Sequence, residues 1–72
     1  MNEDIFKGKW KQIRGKAKEW WADLTDDDLD KIDGRWDQLV GKVQERYGYT
    51  KEEALAEVES HMHEFESEPH TH

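Results

Sequence analysis

Phe6, Trp10 and Ile13 stand at i, i+4 and i+7, the spacing of one face of an α-helix. The same apolar triplet returns 26 residues later as Ile32, Trp36 and Leu39, and after another 26 as Val58, Met62 and Phe65. The polar frame repeats with the first step. GKWKQIRGKAKE, starting at Gly8, and GRWDQLVGKVQE, starting at Gly34, are identical at six of twelve positions. Self-similarity at a fixed period marks a repeated supersecondary unit that cannot bury its apolar face alone. No stretch alternates apolar and polar residues for long enough to make a strand.

This pattern predicts four helices. The first is predicted over residues 4–21, with Ile5, Phe6, Trp10, Ile13, Ala17, Trp20 and Trp21 on its apolar side. The second covers residues 26–33, with Leu29 and Ile32 inward. The third continues to about residue 46, with Trp36, Leu39, Val40, Val43 and Tyr47 inward. The fourth covers residues 51–65, with Ala54, Leu55, Val58, Met62 and Phe65 inward. Thr25 with Asp28, and Thr50 with Glu53, are helix starts: the hydroxyl accepts from a first-turn N–H, and the acid three residues on reaches back. Gly34 and Gly48 are the expected stops. Tolerance of Gly34 inside a helix would merge the second and third, but Asp33-Gly34 is a common turn pair and favours a break. The expected fold is therefore all-α: a small four-helix bundle of two packed αα-hairpins related by the internal repeat. It forms a single domain over residues 1–66. Residues 67–72, SEPHTH, hold the only proline and read as a disordered polar tail.

Composition tightens this picture. In 72 residues, 33% are hydrophobic and 40% charged, so the core is small. A domain of this size buries only roughly 60% of its unfolded surface. Buried tryptophans, at 150–250 Å² each and about 25 cal/mol per Å², are the means by which so polar a chain folds without a staple. There is no cysteine, hence no disulfide and no thiolate chemistry. No apolar run reaches the roughly 18 residues that span a bilayer. The start, MNEDIFKGKW, has acids where a secretory signal has bases. A soluble, cytoplasmic protein is expected. The balance of 11 basic and 18 acidic residues gives −7, which opposes general affinity for nucleic acid or anionic membrane.

The stretches GKWKQIRGKAKE, LTDDDL, DQLVGKVQERYGY and KEEA together resemble the CsbD-like family of small bacterial stress-response proteins, and more closely its YjbJ-like branch. The likeness covers about residues 6–58. It implies a bacterial cytoplasmic protein made under general stress, a small helical fold of two packed hairpins, and no catalytic residues. The family's molecular activity is poorly defined, so the likeness supplies no mechanism. The histidine-containing segment from Ser60 onward departs from the family pattern.

Few constellations carry chemistry. Asp26, Asp28 and Asp30 open like a calcium loop, but Lys31 stands where the loop needs glycine and Asp37 where it needs glutamate. An acidic helix start complementing the dipole accounts for them better. His61 and His63, two apart on a helix, point about 200° from each other and cannot share an ion there. His70 and His72 lie in the tail. The only serines, Ser60 and Ser67, have no base-and-orienter set. The paired glycines, Gly8 with Gly15 and Gly34 with Gly41, are seven apart and suit a close helix–helix approach or a flexible helix. They do not have phosphate-loop spacing. The expected activity is non-enzymatic, with no cofactor and no metal.

Charge is the more informative feature. Residues 7–18 hold six bases and no acid, while residues 19–33 hold seven acids against Lys31. Lys7, Lys11, Arg14 and Lys18 form one stripe at i, i+4, i+7 and i+11. One reading is a partner site, to which Trp20 contributes as the tryptophan whose repeat equivalent is the charged Arg46. The other is internal, with the first helix pairing its bases with the acidic second helix, and the net charge favours this one. An interaction or protective protein is expected, monomeric, with room for a protein partner and no membrane contact. A nucleic-acid-binding module using the stripe is the alternative.

Overall fold

The first apolar stripe is carried by two helices where one was expected. In the computed structural model, which describes residues 3–67, α1 spans Glu3–Gly8 and α2 spans Trp10–Trp20. Lys9 between them sits at φ −102° and ψ 7°, the sparsely populated bridge between helix and extended backbone. The break is a bend more than a gap. The Lys9 N–H still donates to the Ile5 carbonyl at 2.9 Å, and the Lys9 carbonyl accepts from Ile13 N–H at 2.9 Å. Gly8 makes the bend cheap, because glycine gives up about 1 kcal/mol of helix preference. The bend aims Phe6 and Trp10 at one place. Their ring centroids lie 5.5 Å apart, and Phe6 meets Trp36 edge-on at 5.4 Å.

The remaining helices are α3, Asp26–Ile32, α4, Trp36–Tyr47, and α5, Lys51–Ser67. Both threonine starts form complete capping boxes. Thr25 Oγ1 accepts from Asp28 N–H and Asp28 Oδ2 accepts from Thr25 N–H, each at 3.1 Å. Thr50 and Glu53 exchange the same pair of bonds at 3.1 and 2.9 Å. The second and third expected helices are separate. Asp33 at φ 44° and Gly34 at φ 78° both adopt the left-handed conformation and turn the chain from α3 into α4. Gly48, at φ 69°, ends α4. Among the described residues there is no strand. The radius of gyration is 11.6 Å, close to the roughly 11 Å expected of a compact chain of this length.

One core joins the five helices. Phe6, Ile13, Ala17, Leu29, Ile32, Leu39, Val43, Ala54 and Val58 are completely buried, and Trp10, Trp21, Val40, Met62 and Phe65 nearly so. The apolar stripes account for most of these positions. Leu24, in the α2–α3 turn, is also buried, held by its N–H donating to the Trp21 carbonyl at 2.9 Å. Five residues expected to point inward are not fully covered: Trp20, Tyr47 and Leu55 are half-buried at the core's edge, and Ile5 and Trp36 differ more informatively. Ile5, on the outer side of the bent α1, is 46% exposed, and Trp36 is half-buried although its repeat equivalent Trp10 is buried. The tail expected over residues 67–72 lies outside the described residues, except for Ser67 at the end of α5.

The glycine pairs do not mark helix contacts. A Cβ on Gly8, Gly15 or Gly41 would meet no other atom within 4 Å. Gly34 is different: a Cβ there would lie 3.2 Å from Lys7 Cα and 3.3 Å from Trp10 Cβ. The α3–α4 turn thus presses directly on the α1–α2 bend. Gly34→Ala is expected to lower stability by more than the roughly 1–2 kcal/mol of a left-handed alanine. Gly15→Ala, with open space around it in α2, is expected to raise stability by up to about 1 kcal/mol. Urea titrations of both variants read the contrast, and equal shifts would remove the close approach as its cause. Trp10→Ala is expected to cost about 3–5 kcal/mol and Trp36→Ala distinctly less, which thermal melts followed by circular dichroism will show.

Candidate functional site

The basic stripe divides where α3 crosses it. Arg14 Nη1 reaches Asp30 Oδ1 at 2.6 Å, and Lys18 Nζ donates to Asp26 Oδ1 at 2.7 Å. Arg14 Nη2 also reaches the Asp26 carbonyl at 3.5 Å. Because Arg14 pairs with the later acid and Lys18 with the earlier one, α2 and α3 run antiparallel. The Lys18 ammonium beside it holds the Asp26 carboxyl below the usual carboxylate range. These pairs are solvated, so they fix register more than they stabilise. Lys7, in α1, and Lys11, in the first turn of α2, lie exposed and make no ion pair among the described residues.

Trp20 is placed away from the stripe. It is half-buried and stacks on His61 of α5, with ring centroids 4.9 Å apart and planes 21° apart. Trp21 meets the same imidazole edge-on at 5.0 Å. His61 Nε2 lies 3.1 Å from Glu57 Oε1 on the preceding turn. The five residues offered as a partner surface therefore have different neighbours. Arg14 and Lys18 face α3, Lys7 and Lys11 face solvent, and Trp20 joins α2 to α5.

Sequence reasoning found Asp28 as the cap acid for Thr25 but not its burial or its pairing with Arg46. The Asp28 side chain is 3% exposed, among α3 positions expected to be an acidic helix start. Arg46 grips it with two bonds, Nε to Oδ2 at 2.8 Å and Nη2 to Oδ1 at 2.9 Å, and Lys42 Nζ stands 3.7 Å from Oδ1. The Arg46 guanidinium holds the Asp28 carboxyl far below its ordinary range, burial opposes this, and the Thr25 N–H adds to the lowering. The guanidinium is itself raised by the carboxylate. A signal did exist: Asp28 lies four residues before Ile32, on the buried face of a seven-residue helix. The three acids of the D-x-D-x-D run face three different cations, Lys18, Arg46 and Arg14, and do not converge on a common point. Among the described residues no group of three or more His, Asp or Glu side chains could hold a metal ion. No helix among them is long and apolar enough to cross a membrane.

The profile of the CsbD-like family matches residues 4–55, from α1 into the second turn of α5. The chain belongs to the CsbD-like family. Among its relatives, a UPF0337 protein of Pseudomonas aeruginosa is 64% identical over 81% of this chain and 89% of its own length. The UPF0337 protein YjbJ of Escherichia coli K12 is 60% identical over 81% of this chain and 84% of its own. A UPF0337 protein of Bordetella pertussis is 57% identical over 81% and 88%. These CsbD-like relatives carry names that state no activity. The matched span includes Thr25, Asp28, Gly34, Lys42 and Arg46, so the buried ion pair lies within the family's own segment.

Asp28 sets the sign of the pH dependence. A carboxyl held low in the folded state contributes stability that is fully present above its unfolded value of about 4. That contribution fades as pH falls below this value toward the folded one. Asp28→Asn is expected to cost roughly 2–3 kcal/mol at pH 7, less than an enclosed pair would because Arg46 keeps contact with water. The variant should also lose less of its remaining stability between about pH 4 and 2 than the wild type does. Urea unfolding across that range gives both slopes, and parallel slopes would show that Asp28 does not carry the acid sensitivity.

Proposed function

We propose that this chain is a non-enzymatic, cytoplasmic protein of the bacterial general stress response that acts by binding or shielding a partner through its surface. The observation that carries this reading is Asp28. The one buried acid among the described residues is spent on Arg46, Lys42 and a helix cap, all of them structural. Catalytic sites are places where a shifted titratable group stays open to a substrate, and this one is closed by its own cations. Membership in the CsbD-like family supports the stress role. We further read the chain as two αα-hairpins of one repeat, with α1 and α2 as the bent first helix. The capping boxes that open α3 and α5 support that reading.

A binding role is stoichiometric, whereas a catalyst turns over. In a bacterium lacking its own CsbD-like protein, survival of stress should scale with the amount of this chain supplied. Full rescue at trace abundance would overturn the non-enzymatic reading. The exposed Lys7 and Lys11 keep a second reading open, that of a nucleic-acid-binding module. Fluorescence anisotropy with DNA and RNA across a salt series is expected to give affinity no tighter than about 10⁻⁴ M near physiological salt. Sub-micromolar binding, abolished by Lys7→Glu with Lys11→Glu while the melting temperature holds, would promote that alternative.

A further inference from the structure

Net charge is not spread evenly along this chain. Residues 51–72 hold seven acids against Lys51 alone, whereas residues 1–50 hold eleven acids against ten bases. Six of the seven net negative charges therefore belong to residues 51–72, the α5 segment and the chain end beyond it. The acids of α3 at positions 26, 28 and 30 each meet a lysine or arginine from α2 or α4; in α5, Glu53 closes the cap at Thr50 and Glu57 and Glu64 lie beside His61, while the helix carries no lysine or arginine after Lys51.

This charge borders an open cleft of about 890 Å³, where the start of α1, the first turn of α4 and the last turns of α5 meet. Trp36 and Met62 are its apolar members. Trp36 seals Phe6 with one edge and stays half-buried, while Met62 is almost fully covered and forms floor. Glu3 and Asp37 stand on the α1 and α4 side, and Glu59 and Glu66 on α5; all four are exposed. Glu59 and Glu66 are seven residues apart, so they share one side of α5 about 10.5 Å from each other. Asp37 on α4 and Glu59 on α5 give an extended occupant with several positive groups an acid on each of two elements. No lysine or arginine lines this cleft, and its one nitrogen base is the exposed His63 imidazole. Beyond Glu3 and Asp37, a smaller hollow of about 390 Å³ brings in Asp4 together with Lys7 and Arg35.

We propose that this cleft docks a lysine- or arginine-bearing segment of a partner protein. This names the partner's chemistry for the surface-binding role above and rests on that role. The segment lies along α5, with one cationic head over the exposed part of the Trp36 indole and neighbouring heads at Asp37 and Glu59. An ammonium or guanidinium within about 6 Å of an indole face is attracted by the ring's quadrupole. Its methylene stem lies on Trp36 and Met62 while the charge stays at the wet rim. Charge complementarity selects a basic segment over an acidic or purely apolar one.

Titration of the full chain with a ten-residue lysine-rich peptide, followed by NMR and calorimetry, tests the proposal. Saturable one-to-one binding is expected, with the largest shifts at the Trp36 indole and Met62 methyl. Asp37→Asn with Glu59→Gln should weaken it about tenfold, and raised salt should weaken it further. Glu19→Gln with Glu52→Gln removes the same charge from exposed positions outside the cleft and should leave affinity unchanged. Equal weakening by both pairs would mean bulk charge attraction and overturn the proposal. So would shifts centred elsewhere, or spermine binding as tightly as the peptide, which would mark a small-cation site. A peptide that does not bind, alongside dose-dependent stress survival, removes the cleft and leaves the surface-binding role. Rescue at trace abundance removes that role whatever the peptide does.

Discussion

Burying one carboxylate sets most of this fold. Asp28 sits at the start of α3 and its cations, Lys42 and Arg46, sit near the end of α4, so closing the ion pair forces the two helices antiparallel. Removing a charge from water costs several kcal/mol unless every lone pair finds a donor. Asp28 finds four nitrogen donors: the Thr25 N–H, two guanidinium nitrogens and, at longer range, a lysine ammonium. The same carboxylate completes the cap that starts α3, so helix initiation and interhelix register are one event. Nearby, the Tyr47 hydroxyl accepts from the Asp23 N–H at 3.3 Å, tying the end of α4 to the α2–α3 turn. The other end of the α3–α4 pair is fixed by shape, where Gly34 admits Lys7 and Trp10 to contact distance.

Features governed by neighbours in sequence were legible. Thr25 with Asp28 and Thr50 with Glu53 each satisfy helix N–H groups within four residues, and Asp33-Gly34 and Gly48 turn the chain by their own conformational preferences. Features governed by distant neighbours were not. Gly8 permits a bend at Lys9 without requiring one, and what the bend achieves, Phe6 meeting both Trp10 and Trp36, involves a residue far along the chain. Ile5 and Trp36 satisfy the apolar period, yet the bend carries Ile5 outward and the cleft leaves Trp36 half-covered. Periodicity says which face of a helix is apolar and not how much of that face another helix covers.

The partner surface shows the same limit in charged residues. A stripe at i, i+4, i+7 and i+11 is a statement about one helix, and α3 takes two of its four members. Trp20 was singled out because its repeat equivalent, Arg46, is charged. The two positions do serve contacts with other helices, but with opposite chemistry: Arg46 reaches back to Asp28, and Trp20 reaches forward to His61 and Phe65. Equivalence in a sequence repeat therefore does not fix what a residue contacts.

The acids divide by the same logic into those the fold uses and those it leaves at the surface. Every acid at an odd step of the D-x-D-x-D run has a cation of its own, so the densest acidic stretch in the sequence is electrostatically closed. The acids of α5 look less conspicuous in sequence because apolar residues separate them, yet their segment holds most of the molecule's net negative charge. A field from charges on one helix, beside an aromatic surface and facing water, acts over about a Debye length of 8–10 Å at ordinary salt. That range is comparable to the span from Glu59 to Glu66. Local charge balance, taken helix by helix against the cations the fold supplies, thus locates an open surface that net charge and motif spacing both pass over.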